Sequence, residues 1–128
     1  MAFGTLKADT LTHSTAGSLD TNYVVNGSNK VWINFDGQGT IATRDSLNVS
    51  SITDDGTGTY TVSFASSMAT VNYSASGSHN RSGLSSTTFT NDSAWAAATG
   101  SIASVTANSS NVAIDCDAIL HMIVGDLA

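Results

Sequence analysis

The chain has 128 residues, a formal net charge of -6 and only 11% charged residues, against a hydrophobic fraction of 41%. That length suits one domain able to bury a real core. Its four cations, Lys7, Lys30, Arg44 and Arg81, are too few and too dispersed for a nucleic-acid stripe or a polybasic membrane patch. No apolar run approaches the roughly 20 residues of a membrane span, so no membrane insertion is expected. The start, MAFGTLKADTLTHST, does not read as a secretory signal.

In chain order, Gly4 to Asp9 alternates weakly and reads as a short strand or an extended arm. Leu11 to Asp20 is polar and turn-rich. Residues 1–20 are therefore taken as an N-terminal arm or docking segment, and 21–128 as the folded domain. Thr21 to Val25 reads as a strand, and Asn26-Gly27-Ser28-Asn29 as a turn. Lys30 to Phe35 is the clearest strand, with Val31, Ile33 and Phe35 on one face. A turn over Asp36-Gly37-Gln38-Gly39 leads to Thr40–Thr43.

Leu47–Thr53 and Thr59–Phe64 flank Asp54-Asp55-Gly56-Thr57-Gly58, the strongest hairpin signal in the chain. The length of that loop predicts a bulge or a wider turn. Val71 to Ser76 is the next strand, Gly77 to Ser86 a loop, and Thr87–Thr90 a short strand. Asp92 to Ala98 suggests a helical turn. Ile102–Ala107 and Val112–Cys116 read as strands, and Ile119–Val124 as a closing strand buried on both faces. Strands at intervals of roughly 8–14 residues, with no alternating helices, predict an all-β fold. The expected architecture is a single antiparallel β-sandwich or jelly-roll-like domain. The chain contains no proline, so its sheet edges need charge, bulges, coverage or pairing with another copy.

Chemistry-bearing residues are sparse. The aspartates fall mostly in turns, where they bond nearby amides, and the sequence contains no Glu. Asp54-Asp55-Gly56 lacks the ordered oxygen set of a calcium loop. His13, His79 and His121 share no metal-ligand spacing. The single cysteine, Cys116, lies between two carboxylates that disfavour its thiolate. No catalytic residue, metal site or cofactor is assigned, and the chain is expected not to be an enzyme. Trp32 points away from the Val31/Ile33/Phe35 face, toward a neighbouring segment, an oligomer interface or a stacked sugar ring. His121 is a second interface candidate. His79 and Arg81 are candidate ligand or receptor contacts.

The stretch KVWINFDGQGTIATRDSLNVSSITDDGTGTYTVSFASSMATVNY resembles small structural and fibre-like proteins of tailed bacteriophages, of the cyanophage type. The opening GTLKADTLTHSTAGSLDTNYVVNG and the ending HMIVGDLA share that resemblance. It implies a virion protein assembled in the host cytoplasm, usually β-rich and homotrimeric, of the short tail-fibre kind. Its partners would be itself and other virion proteins of the tail or baseplate, with a host surface glycan as a further candidate. Alternatives are a capsid decoration protein seated on the major capsid protein, or a carbohydrate-binding β-sandwich. The resemblance carries no catalytic or ligand motif.

Overall fold

The structure is a computed structural model that describes residues 7–83, the backbone of 87–90, and 96–128. Strands β1 (Thr10–His13) and β2 (Gly17–Asp20) form a separate hairpin, followed by helix α1 (Thr21–Gly27). Then come β3 (Asn29–Asp36), β4 (Ala42–Leu47), β5 (Val49–Gly56), β6 (Thr59–Phe64) and β7 (Ser74–Asn80). Strands β8 (Thr87–Thr90), β9 (Ala97–Ala98), β10 (Ser101–Asn108) and β11 (Ala118–Val124) complete the chain. Two antiparallel sheets face each other, one ordered β4-β3-β11-β7 and the other β5-β6-β10-β8, with β9 also on β10. The all-β sandwich expected from the strand spacing is the fold observed.

Alternation builds the core. Val31, Ile33 and Phe35 of β3 and Ile119 and Ile123 of β11 point inward from the first sheet. Tyr60, Val62 and Phe64 of β6 and Ile102 of β10 meet them from the second. The rings of Phe35 and Tyr60 pack edge to face with centroids 5.3 Å apart. Burial of these side chains supplies most of the favourable free energy of folding, at about 1.5–3 kcal/mol for each large one.

The Tyr60 hydroxyl reaches through the core to polar partners. It lies 3.1 Å from the Gly37 carbonyl and 3.0 Å from Asp115 Oδ1, which also accepts the Gly58 amide at 2.7 Å. Burial first, then the bond and charge of Asp115, push the Tyr60 phenol well above its usual range, so it stays protonated. Tyr60→Phe is expected to cost about 1–2 kcal/mol, because two acceptors lose their donor. A urea midpoint equal to that of the parent protein would show that the hydroxyl contributes nothing.

Several local expectations need correction. Thr21–Val25 is helical, because Asp20 caps the turn by accepting the Asn22 amide at 3.3 Å. Leu11 to Asp20 is not an irregular stretch but most of the β1–β2 hairpin. The strand expected over Leu47–Thr53 breaks at Asn48, which sits at φ 57° and sends the chain from one sheet to the other. Its side chain clamps Ser66, accepting that residue's amide at 2.7 Å and donating to its carbonyl at 3.0 Å. The strand read at Val71–Ser76 runs instead over Ser74–Asn80. Val112–Cys116 forms no strand, only a single bridge between Ala113 and Ala107. Residues 97–98 of the expected helical turn are strand β9, and 92–95 lie outside the described residues. The hairpin loop does carry its bulge, between Asp54 and Gly56.

Candidate interaction face

Inward alternation on β3 and β11 fixes what those strands show on the opposite side. The register sets Leu47, Trp32, Met122 and Ser76 in one row across β4, β3, β11 and β7. The next row is Asp45, Asn34, Leu120 and Ser78. Leu47 is 47% exposed, Met122 49% and Leu120 40%, while Trp32 is half-buried. A groove of about 560 Å³ runs over this face, with Trp32, Leu120 and Met122 as its apolar surface. Asn29, Asn34, Ser76 and Ser78 surround them. The outer face of the other sheet differs in kind. Two of its rows, Ser51–Ser63–Ser101 and Thr53–Thr61–Ala103, are hydroxyl-bearing or small, and the next sets Thr59 opposite the half-buried Val105. One side of the sandwich thus offers hydroxyls to water, and the other offers large apolar side chains.

The second apolar surface is the N-terminal hairpin and helix. Every residue of β1 and β2 is exposed, and α1 buries none. Leu11 and Leu19 are directly paired across the hairpin, and both are exposed. Tyr23, Val24 and Val25 of α1 are exposed as well. The unit is tied together by Thr21, whose amide donates to the Asp9 carbonyl at 2.9 Å and whose hydroxyl lies 2.8 Å from the Ala8 carbonyl. A two-stranded hairpin of this kind is marginally stable in water without a surface to lie on.

The structure spreads the sequence-assigned residues over different surroundings. Trp32 lines the groove. His121 belongs to β11 but points between the sheets, only 4% exposed, with its Nε2 3.3 Å from the Ser104 hydroxyl. The Phe35 ring stands perpendicular to it at 5.9 Å. Burial, followed by the neighbouring His79, lowers the His121 pKa to about 4. His79 was read as part of a loop; it lies in β7 and is buried, because alternation along that strand turns it inward. Its Nε2 donates to the Ala107 carbonyl at 3.2 Å, and burial lowers its pKa despite that bond. Arg81 follows β7 and is half-buried. The structure therefore does not place His79 and Arg81 together on one exposed loop.

The groove's other side chains, Leu120 and Met122, escaped the sequence reading. Ile119–Val124 suggested burial on both faces, whereas β11 alternates buried and exposed positions. Apolar residues at the exposed positions of a strand whose partner strand carries an outward Trp were the available signal. The turn role read for the aspartates fits Asp36, Asp54 and Asp20, each accepting an amide two residues on. Cys116 is fully buried, and burial raises its pKa. Among the described residues, no three of His, Cys, Asp and Glu gather where they could hold a metal ion. Compared with family models, curated proteins and solved structures, the chain matches none of them.

Proposed function

We propose that this chain is a non-enzymatic structural component of a bacteriophage virion, a short homotrimeric tail-fibre-type protein that works without a cofactor. The observation that carries this reading is the apolar outer face built by Trp32, Leu47, Leu120 and Met122. Such a face on a small, sparsely charged domain calls for a protein neighbour. The resemblance of Lys30–Gly77 to fibre-like phage proteins supplies the setting. Copies of the chain pack through the outer face, and the N-terminal segment serves attachment to the tail or baseplate. Mass spectrometry of purified particles tests the assignment. A few to a few dozen copies per particle is the expected result. Hundreds of copies would make it a capsid decoration protein, and absence from particles would overturn the virion reading.

The groove favours one second reading. Trp32 lies among amides and hydroxyls, from Asn29, Asn34, Ser76 and Ser78, that could bond the hydroxyls of a sugar stacked on the indole. A host surface glycan would then be the groove's ligand. Quenching of tryptophan fluorescence by glycans, abolished in Trp32→Ala, would support it; no binding by the parent protein would retire it.

A further inference from the structure

We infer that the groove over Trp32, Leu120 and Met122 is filled by the N-terminal hairpin of a second copy of the chain, in a head-to-tail exchange of arms. The inference rests on the self-assembly part of the reading above, and it gives the Thr10–Asp20 hairpin to contact between copies in place of attachment to the tail or baseplate. The chain holds two exposed apolar surfaces. One is the groove on the sheet face, and the other is the hairpin with Leu11 and Leu19 side by side. The lining of the groove includes no charged residue. Seating the leucine pair there therefore strands no charge, whereas an acidic or basic partner segment would gain no ion pair from the walls.

The hairpin does not use the groove of its own chain. All its residues are exposed, as are Leu120 and Met122 on the sheet. The reason lies in how the arm leaves the domain. The last turn of α1 is fastened to the start of β3, where the Lys30 ammonium donates to the carbonyls of Val25 and Ser28. Asn26 lines one small pocket with Tyr73, Gly125 and Asp126, at the end of β11. The helix is thereby tied to the start of β3, and the hairpin that precedes it keeps every residue exposed. Because the giving and receiving surfaces differ, the contact is heterologous. Passed on from copy to copy it closes a ring or runs into a filament, whereas reciprocal exchange between two copies would close a two-fold dimer. Three copies close the ring in the assembly proposed above.

The test uses the full-length chain carrying both Leu19→Cys and Met122→Cys, oxidised under native conditions; the native Cys116 is buried and does not compete. The expected product is a covalent ladder ending at three chains on non-reducing electrophoresis, with neither single variant cross-linking to itself. A disulfide closed within one chain would show that each arm lies in its own groove. Absence of any bond, a product of the double variant that stops at two chains, or a dimer formed by Met122→Cys alone would equally overturn the proposed head-to-tail exchange. Leu11→Asp with Leu19→Asp provides a second readout. These exposed changes are expected to convert the trimer to a monomer while leaving the circular dichroism of the sandwich unchanged. A parent protein that is monomeric at high concentration refutes arm exchange. Its presence on particles is measured separately, so the two readings fail independently.

Discussion

Lowering the pH from 7 to 4 is expected to remove about 3 kcal/mol of folding stability through His121 alone. The side chain is enclosed by the Ser104 hydroxyl, the Phe35 ring and, from β7, His79. A charge there is poorly solvated, and the second imidazole opposes it, so the folded pKa falls to about 4 from the ordinary 6.5. The sign follows from proton binding. Below pH 6.5 the unfolded chain takes up a proton that the folded chain refuses, so acid favours unfolding. The stabilisation is complete above pH 6.5, declines as the pH falls toward the folded pKa of about 4, and levels off below it. His79 is shifted in the same direction and adds to the slope. Chemical denaturation from pH 7 to pH 4 measures the effect. His121→Gln keeps an amide near Ser104 but cannot titrate, so it should flatten much of the dependence. An unchanged slope in that variant would show that other groups govern acid lability.

This histidine also shows where sequence reading reaches its limit. Alternation along β11 is enough to place His121 with Ile119 and Ile123. Whether that face is the core or an interface depends on what lies across from it, here β10 with Ser104, and pairing between distant strands is not written in local periodicity. The best-read segments were those in which period-two alternation is unambiguous, Lys30–Phe35 and Thr59–Phe64, and their inward residues form the core. Thr21–Val25 misled because Tyr and β-branched residues favour strands, whereas the deciding feature was a single capping carboxylate at Asp20. Trp32 was legible as outward-facing. Its neighbours Leu47 and Met122 were not, since both reach it only through strand register.

The register also explains why the apolar face and the histidine pair belong to one design. Residues 119, 121 and 123 of β11 close the core, and residues 120 and 122 make the groove, so the same seven-residue strand supports both. Protonating His121 is therefore expected to loosen β11 and the groove with it. In the proposed assembly, acid should dissociate the subunits at a pH no lower than that of unfolding, which sedimentation across the same pH range would detect.

Gly58→Ala is expected to be the most damaging small substitution, costing about 4 kcal/mol or more. The residue sits at φ +67°, where an L side chain is strained by about 1–2 kcal/mol. Space is the larger problem. An added Cβ would lie 2.6 Å from the Thr106 carbonyl oxygen, 2.7 Å from the Ile114 nitrogen and 2.8 Å from its oxygen. All three are backbone atoms fixed by hydrogen bonds and cannot rotate aside. The Gly58 carbonyl accepts the Thr106 amide at 2.7 Å, and the Ile114 amide donates to the Thr106 carbonyl at 3.0 Å. The Gly58 amide in turn holds Asp115, the acceptor of the Tyr60 hydroxyl. Moving the turn outward to relieve the clash would break this chain of bonds between the β5–β6 hairpin, β10 and the segment leading to β11. Gly39→Ala is the matched control: its φ of +62° imposes the same backbone strain, but nothing lies within 4 Å of the added carbon. It should cost only the strain, about 1–2 kcal/mol. Urea midpoints of the two variants separate conformation from contact. If Gly58→Ala is no less stable than Gly39→Ala, the close approach of these three backbone segments does not hold in solution.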